Sequence, residues 1–239
     1  MTPLFKLSAL RAALSIGTLA LAASAPAQAI VYSFTMSGGA SSGIAAVSSH
    51  LFVEVTENST TPANDVSFKF TNEIPVLNPD LPPSIARLYF DTGSYASLFT
   101  GMSITDTSGQ VNLVSKTPAP HPFLPTNFTP DYQFGLSSVY PLDNPKYGIN
   151  WGESATLTAT LGAGKSFADV IGAMNQGISA ATASTGLRIG VFTYFNLGTM
   201  RDDAAHVTST IVAVPEAETW AMMLAGLGLM GFMVHRRKS

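Results

Sequence analysis

Cysteine is absent from all 239 residues, which excludes disulfides and leaves the fold to stand on packing alone. Histidine is nearly absent too, and the four present, His50, His121, His206 and His235, lie far apart with none in His-x-x-x-His spacing. With neither thiolates nor paired imidazoles, no metal and no cofactor is expected. Charge is equally sparse. Asp, Glu, Lys and Arg make up 11% of the chain, and residues 30–214 hold seven Lys and Arg against thirteen Asp and Glu. That balance provides no basic stripe for a nucleic acid, so none is expected as a partner. Asp202 and Asp203 follow Arg201 without the acid order of an EF-hand and read as a solvated loop between strands. There is no Gly-x-Ser-x-Gly elbow and no repeat of solenoid period.

Long apolar runs are also few, and the two that stand out sit at the ends. Lys6 and Arg11 precede an apolar stretch over 12–23, and Ala27-Gln28-Ala29 then places small residues where a signal peptidase reads them. This is the order of a secretory signal peptide, residues 1–29, with Ala27 and Ala29 as the cleavage site. At the other end, residues 219–234 carry no charged side chain. As a helix they cover roughly 24 Å, somewhat short of the ~30 Å hydrocarbon core, and so form a marginal transmembrane helix. Trp220 stands at one end of the run, at headgroup level. Arg236, Arg237 and Lys238 form the basic cluster that marks the other end as cytoplasmic. Both signals place residues 30–213 on the far side of the inner membrane.

The tail resembles the PEP-CTERM family of sorting signals of Gram-negative bacteria. The resemblance rests on Val214-Pro215-Glu216, on the run from Thr219 and Trp220 through Leu224, Gly226 and Leu229, and on Arg236-Arg237-Lys238. Ala217 stands where the commonest form of the motif has a second proline. The resemblance implies a chain held transiently in the inner membrane, processed by an exosortase after a signal peptidase, and exported to the cell surface or exopolysaccharide matrix. Four short segments of the exported domain are similar to uncharacterised proteins carrying the same signal. They are Val66-Ser67-Phe68-Lys69-Phe70-Thr71-Asn72, Ile85-Ala86-Arg87-Leu88-Tyr89-Phe90-Asp91, Gly148-Ile149-Asn150-Trp151-Gly152-Glu153-Ser154 and Leu187-Arg188-Ile189-Gly190. They imply a fold in common and no chemistry.

The segment 30–213 is one domain's worth of chain. Period-2 alternation predicts strands over 30–36, 51–55, 66–70, 85–90, 97–104, 111–114, 132–136, 157–161, 187–195 and from 206 onward. Of these, 51–55 and 66–70 form a hairpin, and 187–195, the most apolar, is a central strand. Asp106 to Gly109 reads as a turn. Pro118, Pro120, Pro122, Pro125 and Pro130 make 117–130 a surface loop. Phe167, Val170, Ile171, Met174 and Ile178 recur at helical spacing behind a Ser166 N-cap, with Asp169 three residues on, so an amphipathic helix lies with that face on the sheet. The expected fold is mainly β: an antiparallel β-sandwich with one amphipathic helix, an N-terminal signal helix and a C-terminal transmembrane helix.

Three positions invite chemistry. Asp91-Thr92-Gly93 matches the loop of an aspartic-type hydrolase, whose mechanism needs two carboxylates sharing a proton. No second copy occurs, and the triplet reads as ordinary turn chemistry. Trp151, near Glu153, is the candidate glycan contact of a carbohydrate-binding module, together with aromatics of the proline-rich loop. The leading expectation is a non-enzymatic surface or matrix protein. The alternatives are a carbohydrate-binding module and a secreted aspartic-type hydrolase. An exposed aromatic row favours the first alternative, and a cleft converging on Asp91 and a second acid favours the second.

Overall fold

The computed structural model describes residues 29–36, 50–58, 65–74, 84–120, 124, 127–137, 145–179, 185–196 and 200–213, with the backbone alone for 35, 36, 145, 194–196 and 200–213. The expected signal helix and transmembrane helix, and with them Ala27, Val214, Pro215, Glu216, Arg236, Arg237 and Lys238, lie outside these residues. Among the described residues no helix is long and apolar enough to cross a membrane.

Ten strands form one antiparallel ladder: β1 (Ala29–Met36), β2 (Leu51–Asn58), β3 (Asp65–Asn72), β4 (Ser84–Asp91), β5 (Phe99–Thr107), β6 (Leu113–Lys116), β7 (Tyr132–Leu136), β8 (Ser154–Leu161), β9 (Arg188–Asn196) and β10 (Met200–Ala213). Their order across the sheet is β5-β8-β3-β2-β1-β10-β9-β4-β7-β6. The sandwich anticipated from strand spacing therefore takes the form of a continuous sheet folded on itself. The register of β1 with β10 shifts twice, between Val31 and Tyr32 and between Ser33 and Phe34, as does that of β5 with β8, while that of β4 with β9 shifts once. Such irregularities increase local bend and twist.

Aromatic contacts show that the two halves face each other. Phe68 of β3 meets Phe90 of β4 edge-on at 5.2 Å between ring centroids, and Phe70 meets the same ring at 5.9 Å. Phe34, Phe99 and Tyr132 extend this aromatic seam across β1, β5 and β7. T-shaped pairs of this kind contribute roughly 0.5–1.5 kcal/mol each beyond the area they bury.

One layer keeps a wet face and the other does not. In β2, β3 and β8 buried residues alternate with partly or fully exposed ones: Val66, Phe68 and Phe70 point inward, while Ser67, Lys69 and Thr71 face the other way. In β4 every residue but Arg87 is buried, because its outer face is covered as well. Part of the cover comes from Leu124 and Phe128. Leu124 and Phe128 are buried, and a Cβ on Gly190 of β9 would lie 2.7 Å from Leu124 Cδ2. At Leu124 and Phe128 the proline-rich stretch thus differs from the expected surface loop, because these two side chains lie on the sheet.

The helix α1 spans Phe167–Ser179. Its start is the expected cap, slightly rearranged. The Ser166 amide and hydroxyl both donate to Asp169 Oδ2, at 2.8 and 2.7 Å, and the Asp169 amide donates back to Ser166 Oγ at 3.3 Å. Those bonds, chiefly the one from the Ser166 hydroxyl, hold the Asp169 carboxyl below its ordinary value. The buried face is Phe167, Val170, Ala173, Met174 and Gly177, whereas Ile171 and Ile178 are only half-buried. Small residues displace them from the centre because the helix backbone approaches the strand entry closely. Leu187 N donates to Ala173 O at 2.8 Å, and a Cβ on Gly177 would lie 2.2 Å from Leu187 O.

Strand positions differ from the sequence reading in three places. β5 starts two residues later than expected and runs on through Thr107, so its turn begins at Ser108, with Gly109 at φ +65°. β6 starts two residues later than expected, at Leu113, and β5 and β6 stand at the two ends of the strand order. β10 begins at Met200, so Asp202 and Asp203 are strand residues paired with Tyr194 and Thr193 rather than a loop. The β2–β3 hairpin and the interior place of β9 are as expected.

Candidate functional site

Asp91 and Arg188 are the most chemically loaded pair in the described fold. They are ladder partners, the last residue of β4 opposite the first of β9, with side chains on the covered outer face. Arg188 Nη2 donates to Asp91 Oδ2, and the two side chains are 6% and 3% exposed. The Thr129 amide also donates to Oδ2, and the Gly93 amide donates to Oδ1, both at 2.9 Å. Arg188 in turn reaches Asn127 through Nη1 on Oδ1 and Nη2 on the backbone carbonyl, and its guanidinium lies 5.2 Å over the Phe128 ring. Next along the chain, Thr92 donates through both its amide and its hydroxyl to Asp131 Oδ2.

The turn reading of Asp91 holds, since its Oδ1 accepts from the Gly93 amide two residues on, and the geometry gives this residue a second role. Its carboxylate is a buried hub that ties β4, β9 and the covering loop together, since buried charges persist where they are paired and hydrogen-bonded. It also differs from a hydrolytic dyad. The group facing Asp91 is a guanidinium, which gives up no proton in proteins, whereas the dyad mechanism requires a second carboxyl there.

Trp151 stands on a tight turn ahead of β8, and at 58% exposure it is the exposed large apolar side chain among the described residues. The turn is rigidly built. Gly152 has φ +73°, and its amide donates to Asn72 O at 2.8 Å. Glu153, the neighbouring acid, is fully engaged: Oε1 accepts from the Gln110 amide at 3.1 Å, and Oε2 accepts from the Asn150 amide and side chain at 3.0 and 2.9 Å. Glu153 therefore clamps two turns to each other. Among the described residues no second exposed ring joins Trp151 in a row, and Phe128 of the proline-rich loop is buried beneath Arg188 rather than exposed.

The segments 66–72, 85–91, 148–154 and 187–190 meet in space. Asn72 Nδ2 donates to Ile149 O at 2.8 Å. Ile149 bridges Ile85 across an antiparallel pair, Gly148 sits too close to Ser84 and Ile85 to accept a Cβ, and Asp91 closes onto Arg188. Each segment contributes a contact that locks one strand to the next. Among the described residues no cluster of His, Asp and Glu has the arrangement of a metal site.

The ends of the domain complete the picture. Ala29, the expected last residue of the leader, is the first residue of β1 and is buried. Ile30, the expected first residue of the mature chain, is the register partner of Ala213, the last residue of β10. The family model described as the PEP-CTERM protein-sorting motif matches residues 213–238. The tail is a PEP-CTERM sorting motif. It begins on the residue where β10 ends, and Val214, Pro215 and Glu216 fall within the matched residues. PEP-CTERM sorting makes the chain an exosortase substrate exported through the membrane to the cell surface. No curated protein and no solved structure matches the chain.

Proposed function

We propose that the domain at 30–213 is a non-enzymatic component of the cell surface or exopolysaccharide matrix of a Gram-negative bacterium, delivered with the loss of a leader at Ala29 and of the PEP-CTERM tail. The observation that carries this reading is the continuity of β10 with the sorting motif beside Ile30 of β1. The two segments that engage the export machinery join the fold at Ile30 and Ala213, which are neighbours in one ladder. The Asp91–Arg188 pair favours a structural role for the one hydrolase-like motif.

Two measurements in the native host test the proposal. Changing Pro215 and Glu216 to Ala leaves hydropathy and the Arg236, Arg237, Lys238 cluster intact, so the variant is expected to insert yet remain in the inner membrane with its tail attached. The parent is expected to co-fractionate with surface polysaccharide and to be freed when that polysaccharide is digested. A variant that loses its tail as the parent does overturns the sorting residues, and a parent found free in the medium overturns the matrix role.

A second reading, a carbohydrate-binding module, is favoured by the exposure of Trp151 on a rigid turn. A flat indole is a stacking platform for a neutral sugar ring. Trp151→Ala is then expected to abolish binding to a neutral glucan oligosaccharide, and an unchanged isotherm removes this reading.

A further inference from the structure

A groove of about 340 Å³ opens on the outer face of β4, β7 and β6, away from Asp91 and Trp151. Its floor is Gly135. Arg87 and Gly135 are register partners on β4 and β7, and Lys116 pairs with Gln133 on β6 and β7, two residues along the same face. The missing side chain of Gly135 creates the space: a Cβ there would lie 3.3 Å from Arg87 Cγ and 3.5 Å from Lys116 Cγ. The stems of the two cations thus flank the glycine.

Its chemistry is one-sided. Arg87, Lys116, Thr117 and Gln133 supply the polar lining, and no carboxylate is among the lining residues. Among the described residues the ion pair is that of Arg188 with Asp91, and no described carboxylate pairs with Arg87 or Lys116. This happens in a domain whose acids outnumber its bases by six, which makes two converging cations a local reversal of the overall field. The Arg87 guanidinium is positioned by the Phe192 ring, 5.7 Å away. Gln133 is buried and commits its Oε1 to the Ala119 amide at 2.9 Å, which leaves it the donors of its amide nitrogen. The lining therefore presents donors and positive charge around a space of small-ligand size.

We propose that this groove binds an oxyanion carried on a sugar, the carboxylate of a uronic acid unit, with Arg87 and Lys116 as the charge partners and Gly135 as the floor that admits it. Guanidinium recognises carboxylate by paired N–H donors, while the ammonium acts as a point charge. The sugar as carrier rests on the matrix role proposed above; the oxyanion preference rests on the groove alone.

The test uses the full chain in detergent and measures binding of trigalacturonate, of neutral galactotriose and of inorganic sulfate by calorimetry at low and at physiological salt. Trigalacturonate is expected to bind and galactotriose not, with affinity falling as salt rises because the groove is open to screening. Arg87→Gln with Lys116→Gln is expected to weaken trigalacturonate binding by about tenfold or more. Gly135→Val keeps both charges and fills the floor, and is expected to weaken it likewise. Thermal melts of each variant separate loss of binding from loss of fold. Unchanged binding in correctly folded variants places the ligand elsewhere and overturns the groove, leaving the matrix role standing. Binding of sulfate without trigalacturonate overturns the sugar carrier, and binding of neither overturns the site.

Discussion

The carboxylate of Asp91 and the guanidinium of Arg188 neutralise each other in a layer of the protein that water scarcely reaches. Replacing one partner leaves the other buried and uncompensated. Asp91→Asn is expected to destabilise the fold by roughly 3–5 kcal/mol, the range for breaking a buried pair, as read by denaturant unfolding. Adding Arg188→Met to that variant is expected to recover part of the loss. A single-variant cost below about 1 kcal/mol would mean that Arg188 is hydrated after all.

Two glycines of α1 separate propensity from packing. Gly172 is exposed, and a Cβ there meets nothing within 4 Å, so Gly172→Ala is expected to raise stability by up to about 1 kcal/mol. Gly177→Ala has the same intrinsic preference but drives a methyl into the Leu187 carbonyl. Its melting temperature is expected to fall. Equal shifts in the two variants would place the helix further from the sheet than the Leu187 N–H to Ala173 O bond allows.

Phe128 distinguishes a covering segment from a surface loop. It is 3% exposed and lies under the Arg188 guanidinium. Phe128→Ala is expected to cost about 3–5 kcal/mol, as for a buried ring, whereas an exposed loop residue would change stability by less than about 0.5 kcal/mol.

Tyr32 supplies a pH signature. Its ring is fully buried in β1 and its hydroxyl has no hydrogen-bond partner, and burial pushes its pKa from 10.0 to about 12. A raised pKa on an acid favours the protonated form in the folded state. Stability from this group is therefore complete below pH 10 and is lost as pH rises toward 12. Tyr32→Phe is expected to flatten that alkaline decline while leaving neutral-pH stability equal or higher, since it removes an unsatisfied buried hydroxyl. An identical alkaline profile in the variant would assign the decline to other groups.

The strands were legible where one face is wet. Val66, Phe68 and Phe70 alternate with Ser67, Lys69 and Thr71, and that period survives in the fold. The Ser166 and Asp169 cap was legible for the same reason, being local. What stayed hidden is non-local. Asp91 and Arg188 are 97 residues apart, and each alone reads as a turn or strand-end charge. The cue was a lone charged residue beside an apolar run, Leu187 to Val191, that offers it no water. Gly177 and Ala173 were missed because hydrophobic periodicity rewards Ile171 and Ile178, while close backbone approach selects small residues instead. The Arg87 and Lys116 groove depends on what Gly135 lacks, which no pattern of side chains announces.

The pairing of Ile30 with Ala213 also has a mechanical side. A load carried through both ends at once pulls the first residue of β1 away from the last of β10, and the ladder between them peels rung by rung from one end. A load carried through the tail alone draws β10 along its own axis, where it is held by β1 over Ala205 to Ala213 and by β9 over Met200 to His206, so that many rungs resist together. Under the leader removal at Ala29 proposed above, a zipper becomes a shear joint, and the same tail becomes a stronger handle.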